Sequence, residues 1–228
     1  MASIIDAVQE SFGDNNSFFK ILILSIPLYF CVNPFFNSGE IIWWLCVLTF
    51  VILFGFLIKC TSNVRNGKTY VLPSLNIFDL IFTGLKGSIA LGPSILINSY
   101  IAYYLCGLVE KYISNVFLIF KFLIWGLFIA IILTCYLGYA KTFKIKDAYN
   151  LKVIFKSSAD VMIAIIFMIP QILLAAAIIL LPVGYILWLF FNPTHSVSIF
   201  LYCLVFVFML AVTGHYLAQI GFENLAEK

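Results

Sequence analysis

Six stretches of this chain are nearly free of charge over the length of a bilayer crossing. They run over about 18–36, 41–60, 88–108, 116–140, 159–190 and 197–220. A hydrocarbon core of about 30 Å is crossed by about 20 apolar residues in helical form. In lipid every backbone N–H and C=O needs an internal partner, so only helices and closed barrels cross. The runs lack the strict alternation of barrel strands, which leaves helices. Composition agrees, with 64% of the 228 residues hydrophobic and only 10% charged. A soluble domain is about one quarter charged. The chain therefore reads as all-α: one polytopic membrane domain, 1–228, of six transmembrane helices.

Residues 1–17 carry Asp6, Glu10 and Asp14 but no base. A signal peptide begins with positive charge, so the first span is expected to stay in the mature protein. Six cysteines are scattered through the spans with no CxxC pair. They read as small hydrophobes, and spacing leaves open whether Cys31 or Cys106 enters a disulfide.

Charge orients the bundle. With the N-terminus in the cytoplasm, that side collects Lys20, Lys59, Arg65, Lys68, Lys86, Lys141, Lys144, Lys146, Lys152, Lys156 and Lys228, against Lys111 and Lys121 opposite. This is a positive-inside bias, predicting cytoplasmic N- and C-termini in a cytoplasmic (inner) membrane. Trp43, Trp44, Tyr100, Tyr103 and Tyr104 fall near span ends, where such rings anchor at the headgroups.

The connections carry a recurring pattern. In VRNGKTYVLPSLNIFDLIFTG, Ser74 is placed to cap a helix after Pro73. Leu75, Phe78, Ile81, Phe82 and Leu85 then share one face, with Asn76, Asp79, Thr83 and Lys86 largely on the other. IIDAVQESF and IKDAYNLKVIFKSS read the same way, giving three short cytoplasmic amphipathic helices. Ile-x-Asp recurs at 4–6, 77–79 and 145–147, and Pro27, Pro93 and Pro170 follow in the first spans. The returning spans end in Gly55-Phe56, Gly138-Tyr139 and Gly214-His215. Two readings stand: three pseudo-repeats of surface helix plus helical hairpin (1–73, 74–144, 145–228), or mere recurrence of common membrane-protein patterns.

At these residues the chain resembles an uncharacterised family of prokaryotic multipass membrane proteins, a domain-of-unknown-function family. The likeness rests on the DA-containing first helix with its FGDNN break, on GFLIKCTSNVRNGKTYVLPSLNIFDLIFTGLKG, and on KDAYNLKVIF with GHYLAQIGFENL. It implies a multipass helical fold and carries over no catalytic residues.

Chemistry is sparse. The two histidines, His195 and His215, fall on opposite sides, which argues against a shared metal. No acid lies near mid-span, although buried carboxylates mark most membrane chemistry. No GxSxG, HExxH or P-loop appears. Asp6, Asp79 and Asp147 sit in first helical turns, where negative charge suits the helix dipole. The expectation is thus no enzyme, no cofactor, no metal and no nucleic acid. Gly126, Ala130, Thr134 and Gly138 line one face of the fourth span, and Ala211, Gly214, Ala218 and Gly221 form a similar stripe in the sixth. Small residues let helices approach closely, within one chain or across a homo-oligomer seam.

The leading expectation is an integral membrane scaffold or accessory protein that binds membrane lipids or a membrane-protein partner, with Arg65, Lys68, Lys144, Lys146 and Lys152 meeting lipid headgroups. The alternative is a carrier or channel for a small neutral or apolar solute, its path lined by Asn98 and Gln171 at breaks near Pro93 and Pro170. A lipid-acting enzyme would need Asp79, Asp147 and His215 to converge. In a cysteine-free background, Lys68→Cys and Lys146→Cys are expected to react with a membrane-impermeant maleimide from the same side. Labelling from opposite sides would overturn the orientation.

Overall fold

The computed structural model describes residues 4–13, 16–37, 40–68, 70–112, 117–192 and 194–225. Among them are eight helices: α1 (Ile4–Ser11), α2 (Ser17–Phe36), α3 (Trp43–Arg65), α4 (Ile77–Tyr112), α5 (Phe117–Thr142), α6 (Ile145–Ala148), α7 (Leu151–Phe190) and α8 (Ser196–Asn224). No strand occurs among the described residues. Six of the helices (α2, α3, α4, α5, α7 and α8) are long and apolar enough to cross a membrane, as a multipass protein requires. Asp14, Asn15 and Lys228 lie outside the described residues.

The returning helices α3, α5 and α8 touch one another at the centre. Around them α2 packs on α8 and α3, α4 on α3 and α5, and α7 on α5 and α8. The short α1 lies on α8. One end of the bundle gathers α1, the starts of α2, α4 and α7, α6, and the ends of α3, α5 and α8; it is called the basal face below. Trp43, Trp44, Tyr100, Tyr103 and Tyr104 all point outward, as membrane-boundary rings should.

Two connections differ from the sequence reading. The amphipathic segment after Pro73 is not a separate short helix; it forms the first turns of α4, which runs on without interruption. Its cap is Asn76 rather than Ser74, with the Asn76 side chain accepting from the Asp79 N–H at 3.3 Å. In the third such segment only Ile145–Ala148 stands apart, and the rest continues as α7. The reason is length. At about 1.5 Å per residue α4 is about 54 Å long and α7 about 60 Å, against about 30 Å of hydrocarbon. The first turns of α4 are part of the bundle, with Leu80 and Gly84 against Gly55 and Val51 of α3, and no residue between Asp79 and Ile89 stops the helix.

The expected faces also shift. Phe78, Phe82 and Leu85 point outward, while Leu80, Thr83 and Gly84 are buried. What selects this face is close approach to α3. A methyl group added at Gly55 would run into the Leu80 carbonyl oxygen, and one at Gly84 into that of Val51. In α8, a Cβ at Gly214 would lie 2.9 Å from the Cys60 Cβ. In lipid no hydrophobic force drives helices together, so contact surface gained through small residues is what holds them. Ala130, Ala211 and Ala218 are fully buried and Thr134 nearly so. Gly126 faces the Met162 side chain of α7, and Gly138 faces the Asp147 carbonyl. The small-residue stripes thus pack within the chain.

Gly55→Ala or Gly84→Ala should therefore lower stability in detergent by about 1–3 kcal/mol or more, since backbone must move. Gly92 has open space around its Cα, so Gly92→Ala should be neutral or stabilising by up to about 1 kcal/mol. Thermal unfolding midpoints compare the three.

Candidate functional site

Polar groups concentrate at the basal ends of the three central helices. Thr61, on α3, is fully buried. Its Oγ1 lies 2.8 Å from the Tyr136 hydroxyl of α5 and 3.1 Å from the Gly214 carbonyl of α8, besides 3.0 Å from the Leu57 carbonyl of its own helix. Carbonyls only accept, so the single Thr61 proton serves them, and Tyr136 O–H must donate to Thr61. One hydroxyl therefore joins α3, α5 and α8.

Arg65 lies one turn further along the same face of α3. It is buried, and its guanidinium donates to the Leu137 carbonyl of α5. A Cβ at Gly221 would meet the Arg65 Nε at 3.1 Å, so the glycine makes room for the side chain to cross α8. Arg65 is thus not the surface headgroup contact expected from sequence; a helix carbonyl draws it inward. Lys68, Lys144, Lys146 and Lys152 are exposed.

His215 is also buried, at 2% exposure, with its Nε2 2.7 Å from the Glu10 Oε2 of α1. Phe12, just after α1, stacks on Phe208 with ring centroids 4.7 Å apart. Both contacts clamp α1 onto α8. Asp79 pairs with Lys59, and Asp147 accepts from the Thr142 hydroxyl at 2.6 Å. Asp79, Asp147 and His215 thus each have a separate partner, not a shared centre. Tyr149, in the α6–α7 link, donates to the Ala90 carbonyl at 2.6 Å. Its burial raises the phenol pKa above the ordinary value.

Beside this buried layer lies a cavity of about 510 Å³, lined by Lys20, Lys59, Asn63, Lys68, Tyr70 and Ser74 over Leu72 and Pro73. The sequence Asn63-Val-Arg-Asn-Gly-Lys68 builds its wall. The Gly67 N–H bonds the Val64 carbonyl and the Lys68 N–H the Asn63 carbonyl, at 2.9 and 3.0 Å. That double closure is a Schellman ending, with Gly67 at φ +65° in the left-handed position. The Asn63 amide then donates to the Val71 carbonyl at 3.1 Å. Val71, Leu72 and Pro73 are buried in consequence, with Val71 and Leu72 packed with Ala7, Ile21 and Leu80. Residues 66–68 and 70–76 form a folded wall instead of the solvated strip the basic start suggested.

The residues expected to line a solute path are dispersed. Asn98 donates back to the Ser94 carbonyl at 2.8 Å, and Gln171 accepts from the Tyr216 hydroxyl at 2.9 Å. Pro93 and Pro170 face outward, inside continuous helices. Two apolar grooves of about 560 and 420 Å³ flank α8, and neither is lined by Asn98 or Gln171. His195 caps α8, its Nδ1 accepting from the Val197 N–H at 3.3 Å. Among the described residues the cysteines, Cys31 and Cys106 included, are free thiols, and no three His, Cys, Asp or Glu side chains gather as metal ligands.

Sequence reasoning missed Thr61, Tyr136, Lys20, Lys59 and Asn63. The spacing of Thr61 and Arg65, four apart in an apolar span, was a usable signal for the first. Nothing local marks Tyr136 or Lys20, which meet α3 only across the fold. Comparison with protein-family models, curated proteins and solved structures finds no match for the chain.

Thr61→Val should destabilise by about 1–3 kcal/mol, because the Tyr136 hydroxyl loses its buried acceptor. Adding Tyr136→Phe should recover part of that loss. A double-mutant cycle on thermal stability reads the coupling directly; strict additivity would show that the hydroxyls do not interact.

Proposed function

We propose that this protein is an integral membrane scaffold or accessory protein whose basal face engages anionic lipid or a membrane-protein partner. The observation that carries the reading is the division of labour among polar groups. The groups within the helix core, Thr61, Tyr136 and Arg65, are engaged with neighbouring helices. The exposed cations Lys68, Lys144, Lys146 and Lys152 ring the basal ends of those helices. Engaged interior groups hold a shape, and each exposed cation at a lipid surface contributes about 1 kcal/mol toward anionic headgroups. On this reading the basal face is cytoplasmic, the membrane is the inner membrane of a prokaryote, and the resemblance to the multipass family is one of descent.

The same reading takes the chain as three related units of surface helix and hairpin. Several facts support it. The residue after each Ile-x-Asp is fully enclosed: Ala7 at 0%, Leu80 at 0% and Ala148 at 1% exposure. The ring after each paired glycine is enclosed too: Phe56 at 1%, Tyr139 at 1% and His215 at 2%. Gly55 meets Leu80 and Gly138 meets Asp147, each glycine packing on the next unit's surface segment. His215 meets Glu10 of the first unit, which closes the cycle. Finding Lys68 and Lys146 on opposite sides of the membrane would remove this arrangement along with the orientation.

Extraction from native membranes in mild detergent, followed by native mass spectrometry, should return the protein with stoichiometric lipid or a partner chain. A solitary, lipid-free protein that moves a neutral solute across liposomes would overturn the reading.

A further inference from the structure

We propose that the basal cavity beside α3 is a phosphate-recognition site. The inference rests on the lipid-facing role of the basal face and adds to it a specific pocket and ligand chemistry. Three ammonium groups from three separate segments line one cavity of about 510 Å³: Lys20 from the first turn of α2, Lys59 from the last turns of α3, and Lys68 from the loop that follows. No carboxylate is among the described residues lining it.

The wall is built, not incidental. The Schellman ending puts Lys68 at the rim, and the Asn63–Val71 bond folds the loop back over the core. Asp79, which is not among the lining residues, pairs with Lys59. Buried Leu72 and Pro73 make an apolar floor, and charge–charge attraction beside such a surface exceeds its value in bulk water. Ser74 and Tyr70 add hydroxyl donors at the edge. Ammonium groups with neutral donors suit a compact, multiply accepting anion, and lysine serves phosphate as a mobile point charge. Phe18 and Phe19, exposed beside Lys20, offer apolar surface next to the cavity that an acyl chain would meet. A lipid headgroup and a soluble phosphate share this chemistry.

The test compares phosphatidylglycerol with phosphatidylcholine on the full-length protein in detergent, by native mass spectrometry and titration. Wild type should retain one tightly held phosphatidylglycerol. Lys20→Gln/Lys59→Gln/Lys68→Gln should weaken its affinity about tenfold or more, and clearly more than Lys144→Gln/Lys146→Gln/Lys152→Gln, which removes the same charge from the open basic face. Because Lys59→Gln strips Asp79 of its partner, Lys68→Glu at an exposed position provides a second variant, with a loss in the same direction. Competition by inorganic phosphate would assign the site to a free phosphoester; lack of competition would assign it to lipid. Equal loss in both triple variants would sink the pocket while leaving the basic face as the binding surface. No loss in the cavity variants, with equal retention of the two lipids, would overturn both readings.

Discussion

The close contact of α3 with α4 and α8 is the constraint on which this structure rests. Within hydrocarbon, burying an apolar side chain against protein gains little over burying it against lipid. What helices gain is contact density, and that requires their backbones to approach. Gly55 and Gly84 remove the side chains that would keep α3 and α4 apart, and Gly214 does the same between α3 and α8. With α3 held on both sides, its last turns lie against α5 as well, and a single hydroxyl, that of Thr61, reaches three helices. The depth of Arg65 follows from the same seating, with Gly221 leaving the space it occupies.

The basal end is where the two solvents meet, and its polar groups sort accordingly. Thr61, Tyr136 and Arg65 point inward and are held by neighbouring helices, because an unsatisfied donor in a low-dielectric interior is expensive. Groups pointing outward include Lys68, Lys144, Lys146 and Lys152, whose long stems reach water while their bases stay near the apolar surface. Between these layers sits the 66–76 connection. Its backbone closes the end of α3 and then turns its apolar residues under the bundle. A stretch that begins as Arg-Asn-Gly-Lys and ends as Val-Leu-Pro is thereby both the lid of the core and the wall of a basic cavity.

The arrangement also explains why α7 and the first half of α5 are so apolar around their circumference. α7 has few buried residues, and α5 few in its outer half. Both carry exposed Leu, Ile and Phe along their length. In water such surfaces would aggregate; in a bilayer they are simply wetted by lipid. The inner helices can then devote their contact faces to small residues and hydrogen bonds.

Much of this was legible in the residues. The number, type and approximate limits of the spans follow from hydrocarbon thickness and helical rise, because backbone hydrogen bonding in lipid leaves no other local choice. The stripes at Gly126–Gly138 and Ala211–Gly221 were readable as contact faces for the same local reason. Which helix meets which stripe was not readable, since a glycine declares that something approaches without saying what. Nor could the sequence separate Arg65, which is drawn into the core, from Lys68, which stays at the surface three residues later. That distinction depends on whether a helix carbonyl from elsewhere in the chain lies within reach. Lys20 and Lys59 are nearly forty residues apart along the chain and share a cavity only because α2 packs beside α3. Periodicity and solvent chose the elements; long-range packing alone chose their neighbours, and with them the pocket.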